Sequence, residues 1–162
     1  MRRGALAIAV LLVALVPLGV RAGDRPLELL LGDMSPDGSR PDCIRDLVRE
    51  IRHRDRTTGE EVNLSRMGEG GIRRLVGHDD ESSFLSWTVE DLRPIMERRR
   101  EPPLDAIALV DCRAVDQEVQ MLVLSPAGGL LRMSLRRTAI DEERARWLGR
   151  TLLHHAWTGF SP

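Results

Sequence analysis

The stretch from Leu104 to Arg137 constrains the fold most, because it reads as three consecutive strands. Leu104–Cys112 holds the unbroken apolar run Ala106-Ile107-Ala108-Leu109-Val110, which suits a strand covered on both faces. Gln117–Ser125 alternates, with Val119, Met121 and Val123 on one side and Gln120, Leu122 and Leu124 on the other. Pro126-Ala127-Gly128-Gly129 is a turn cluster, since proline presets φ and glycine tolerates positive φ. Leu130–Arg137 then sets Leu131, Met133 and Leu135 against Arg132, Ser134 and Arg136, one face buried and one wet. The result is an antiparallel meander that the rest of the chain must cover.

The preceding segments supply that cover. Pro26–Leu31 is a short strand that Gly32 is expected to stop. Asp42–His53 is an amphipathic helix with Ile44, Leu47, Val48 and Ile51 on its inner stripe and Cys43 at the edge. Glu61–Leu64 and Phe84–Trp87 each suit a short edge strand, and Ile72–Val76 one or two helical turns. Thr88 with Asp91 three residues on is a capping box, with Asp in place of the usual Glu. That helix runs towards Arg100, with Pro94 set to kink or shorten it. A closing helix spans Asp141–Trp157, its stripe of Ala145, Leu148, Leu152 and Ala156 flanked by Trp147, Leu153 and Trp157. Gly159 and Phe160 suit its end. The order predicts an α+β domain: a mixed sheet of four or five strands with an antiparallel meander, and helices packed mainly on one face. Over Leu104–Phe160 this layout is similar to the amino-terminal domain of TolB and to periplasmic activators of penicillin-binding proteins. The likeness is one of layout, and no functional residue comes with it.

Residues 1–22 read as a cleaved signal peptide: Arg2 and Arg3 open it, an apolar run follows from Ala5 to Val20, and Val20-Arg21-Ala22 precedes a cut before Gly23. The apolar run falls short of the roughly 20 residues a spanning helix needs. Removing those 22 from 162 leaves 140 residues, 23–162, enough for one domain with a sizeable core. Arg2, Arg3 and Arg21 are three of 24 basic residues, so the remainder carries 21 against 25 acids, a net −4. That balance argues against a nucleic-acid partner. Every basic residue is Arg and none is Lys, a bias that fits a GC-rich bacterial genome and, with the leader, a periplasmic or secreted protein.

Cys43 and Cys112 fall where an oxidising compartment can join them. If the first strand runs parallel to Leu104–Cys112, the helix after it starts beside that strand's carboxyl end, and both sulfurs share one rim of the sheet. Neither cysteine has the local CxxC or Cys/His spacing of a redox pair or metal site.

Candidate sites are few. Arg45, Arg49, Arg52 and Arg56 recur at i, i+4, i+7 and i+11, so they share the outer side of the first helix, near Asp46, Glu50 and Asp55. Four guanidinium groups on one face suit an acidic protein, a lipid headgroup or a glycan phosphate. His78-Asp79-Asp80-Glu81 is the densest set of possible metal ligands, although adjacent residues of an extended loop point apart. His154 and His155 lie about 100° apart on a helix and cannot chelate unaided. Gly68-Glu69-Gly70-Gly71 lacks both the Walker lysine and the GxGxxG spacing of a phosphate loop. No serine sits in a GxSxG context, and bridged cysteines leave no thiolate. The expected function is therefore a non-catalytic binding module for an envelope protein or anionic envelope component, with no cofactor. The alternative is a small enzyme or metal-binding protein using His78, Asp79 and Asp80.

Overall fold

The computed structural model describes residues 25–35, 41–58, 61–78, 82–98, 101–112, 118–136 and 142–158. Among these residues five strands form one sheet: β1 (Leu27–Asp33), β2 (Val62–Gly68), β3 (Ala106–Cys112), β4 (Glu118–Leu124) and β5 (Leu130–Arg136). Among the described residues four α-helices accompany them: α1 (Pro41–Thr58), α2 (Glu69–Val76), α3 (Val89–Glu97) and α4 (Glu142–Thr158). The strand order is β2-β1-β3-β4-β5. β1 pairs in parallel with β2 and β3, and β3-β4-β5 is the antiparallel meander. The α+β mixed sheet is therefore the architecture, with β3 at its centre.

β3 is buried along its whole length, as its apolar run requires. The alternation of β4 sends Val119, Met121 and Val123 into one core and Leu122 and Leu124 into another. α1 and α4 cover the first core through Ile44, Leu47, Ile51, Leu148, Leu152 and Ala156. The second core is closed by Ile72 of α2, Phe84, Trp87, and Leu92 and Ile95 of α3. The expectation of helices mainly on one face holds for the two long helices only. The short ones cover the other face, because Leu30, Ile107, Leu109 and Leu122 present a second apolar surface that needs its own cover.

Local differences have local causes. β1 continues through Gly32 instead of stopping there. A Cβ at Gly32 would stand 2.5 Å from Leu109 Cδ2 and 3.3 Å from Ile72 Cδ1, so glycine is present for close packing. Phe84–Ser86 is a single 3-10 turn, not an edge strand. Arg132 of β5 fixes it, donating from Nε to the Leu85 carbonyl and from Nη2 to the Trp87 carbonyl, each at 2.9 Å. α1 runs five residues beyond His53, which keeps Arg56 in register with the other arginines and near the favourable carboxyl-terminal end of the helix dipole. α3 ends at Glu97, three residues past Pro94.

The disulfide joins Cys43 in the first turns of α1 to Cys112 at the end of β3, with Cα atoms 6.2 Å apart. Its placement follows from the parallel β1–β3 pair, as the sequence argument requires. The backbone N–H of Cys112 donates to Ser35 Oγ at 3.0 Å on the same rim. The proposed leader, residues 1–22, and the expected end at Gly159-Phe160 lie outside the described residues.

Candidate functional site: the outer face of helix α1

The inner stripe of α1 is fixed by Ile44, Leu47 and Ile51, which are at most 3% exposed. Helical geometry then leaves Arg45, Arg49, Arg52 and Arg56 on the far side, and all four are exposed. Together with Val48 and His53 they line one shallow cleft of about 390 Å³. Asp46 lies beside Arg45 and Arg49. Its Oδ1 lies 3.9 Å from Arg45 Nε and 3.6 Å from Arg49 Nη1, beyond hydrogen-bond length. Such exposed pairs are worth little and yield easily to a competing anion. Arginine side chains surround an open cleft whose one apolar residue is Val48. That suits recognition of phosphate or carboxylate groups at a surface, and not enclosure of an apolar small molecule.

α4 packs beside α1. Gly149 permits the contact, since a Cβ there would stand 2.7 Å from Glu50 Cγ. The outer side of α4 carries Arg146, Trp147, Arg150 and His154, all exposed. Trp147, expected beside the buried stripe, is 45% exposed. His155, on the other side of α4, is buried and bonds the Gly129 carbonyl at 3.2 Å, so the two histidines diverge.

The other candidate set resolves differently. His78 Nε2 donates to Asp91 Oδ1 at 2.9 Å, and its ring stacks on Trp87 with centroids 5.4 Å apart. Arg73, 6% exposed, bonds Glu69 Oε1 at 2.8 Å and the Ser82 carbonyl at 3.1 Å, with its guanidinium 5.7 Å from the Trp87 ring centroid. The Asp91 carboxyl is drawn down from 3.8 to about 2, first by the Thr88 backbone N–H, then by His78 and the Thr88 hydroxyl. These contacts spend His78 on tying a loop to α3. Asp79, Asp80 and Glu81 lie outside the described residues, and no group of three or more potential metal ligands occurs among the described ones. At Gly68-Glu69-Gly70-Gly71 the first turn of α2 carries the Glu69 carboxylate, and Arg73 points inward, so that segment cradles no anion.

The spacing of the arginines in α1 was enough to find their shared face. The exposed Trp147 was not visible, because a residue bordering an apolar stripe can fall on either side of the burial boundary. No family model, curated protein or solved structure matches the chain.

Proposed function

We propose that this chain is a non-catalytic binding module that docks an anionic envelope protein or envelope component through Arg45, Arg49, Arg52 and Arg56. One observation carries the reading: four exposed guanidinium groups on one helical face line one cleft, and Asp46 approaches Arg45 and Arg49 only at 3.9 and 3.6 Å. The partner's acidic groups replace water and that weak pairing, so affinity falls with salt. The test is binding of dextran sulfate, a generic polyanion, to the full chain, followed by fluorescence anisotropy. Salt-sensitive binding that is lost in the Arg49→Glu/Arg52→Glu double variant is the expected result. Equal binding by the parent and the double variant refutes the reading.

The bridge between Cys43 and Cys112 supports export to a periplasmic or extracellular compartment, where such bonds persist. No described helix is long and apolar enough to cross a membrane. The exported chain is expected to begin at Gly23 and to carry the bridge. An intact mass from the native cell that retains residues 1–22, or a reduced cysteine pair, contradicts export with cleavage.

A further inference from the structure

We infer that the anionic partner is a membrane surface bearing acidic phospholipid, met by the outer side of the α1–α4 layer with Trp147 as its aromatic contact. The inference rests on reading the α1 arginines as a docking group, and it names what they dock to. Large apolar side chains are otherwise well buried here: Trp87 is 1% exposed, and Val89 and Trp147 are the exposed large hydrophobic residues among those described. Trp147 therefore stands out, and it stands on the helical layer that carries the arginines. Arg146 and Arg150 flank it on α4. The close approach at Gly149 brings α1 and α4 together with Glu50 at their seam, so both exposed rows belong to one helical layer. The whole chain has a net charge of −1, so this cationic surface is a segregation of charge and not the mark of a generally basic protein.

The spread of the charges favours a lipid layer over a folded protein. From Arg45 to Arg56 is eleven residue steps, about 16 Å of helix, along one open cleft. A protein partner needs a complementary surface with a packed central anchor. Headgroups move laterally and can bring a phosphate to each guanidinium without preset register. Tryptophan suits such a boundary, because its ring is largely apolar while its N–H seeks a polar partner. The apolar stripe of α1 lies in the core of the domain. Association is therefore peripheral, reversible and salt-dependent.

The test is co-sedimentation of the full, disulfide-bonded chain with vesicles of phosphatidylcholine alone, or with equal parts phosphatidylglycerol. Binding to the anionic vesicles only, weakening with added salt, is expected. Each arginine at an acidic surface is worth about fivefold in partitioning. The Arg49→Gln/Arg52→Gln variant should therefore lose about thirtyfold. Trp147→Ala should lower partitioning further and abolish a lipid-dependent blue shift in emission, with an unchanged melting curve to show that it folds. Failure to bind vesicles, with dextran sulfate still bound through Arg49 and Arg52, overturns the membrane inference and leaves the docking reading standing with a soluble anionic partner. Failure to bind either ligand overturns both. Vesicle binding whose strength and emission are untouched by Trp147→Ala also overturns the inference as stated.

Discussion

The two helical layers use the same residue type in opposite ways. Beneath α2 and α3, Arg73 is buried, holds Glu69 and the Ser82 carbonyl, and lies over Trp87. On α1, Arg45 and Arg49 keep 63% and 72% of their side chains exposed and approach Asp46 no closer than 3.6 Å. The difference lies in what surrounds each cation. Arg73 meets an acid one helical turn away and a ring that shields it from water, whereas the α1 arginines face outward with an acid on their own helix. A buried guanidinium with committed bonds is a structural fastening, and an exposed row of guanidinium groups is a surface that can take a partner.

The largest effect should come from the anchor of the α1 layer. The Cys43→Ser/Cys112→Ser double variant opens a loop whose ends are 69 residues apart. It is expected to lose about 4 kcal/mol in urea unfolding. A loss below about 1 kcal/mol, against the 2–4 typical of such bridges, would mean that packing alone holds α1 in place. Next comes the fastening on the opposite layer. Arg73→Met keeps the stem but removes the bonds to Glu69 and Ser82, and should cost about 2 kcal/mol by the same measurement. A neutral result would erase the contrast between the two layers, because Arg73 would then be as dispensable as an exposed arginine.

How much of this was legible in the sequence follows from the range of each signal. The meander was legible because its alternation is carried by neighbouring residues, as with Met121 and Leu122 entering opposite cores. The disulfide was legible because parallel pairing of β1 and β3 fixes the rim on which both cysteines sit. The α1 arginines were legible from spacing alone. The division of helices between two faces was not, since periodicity tells that a segment is amphipathic and not which side of the sheet it covers. Gly32 was misread as a stop because the atoms that require it, on Leu109 and Ile72, lie far away in sequence. Phe84–Trp87 has the composition of a strand, and its turn depends on two bonds from Arg132 on another element.

A smaller effect tests the edge of the α2–α3 layer. Thr88 and Asp91 form a reciprocal cap: the Thr88 N–H donates to Asp91 Oδ2 at 2.7 Å, and the Asp91 N–H donates to Thr88 Oγ1 at 3.4 Å. Thr88→Ala should cost about 1 kcal/mol. Because the Asp91 carboxyl is lowered in the folded state, its contribution is fully present above 3.8 and is lost as pH falls towards about 2. Asp91→Asn should flatten the fall in melting temperature over that interval. An unchanged acid limb would show that the cap and the His78 contact do not stabilise the charged carboxylate.

The smallest expected effect on stability is the sharpest test of the comparison. Arg49→Gln/Arg52→Gln removes two exposed charges, of which Arg49 has the 3.6 Å approach to Asp46. Exposed pairs of that kind contribute little, so unfolding should shift by less than about 0.5 kcal/mol. Polyanion binding by the same variant should nonetheless fall sharply and become less sensitive to salt. If stability falls by as much as for Arg73→Met, the α1 arginines fasten the fold as Arg73 does, and the outward row has no claim to be a docking surface. If stability holds and binding is lost, the two layers are separated by a single pair of measurements: arginines that hold the fold together on one side, and arginines available to a partner on the other.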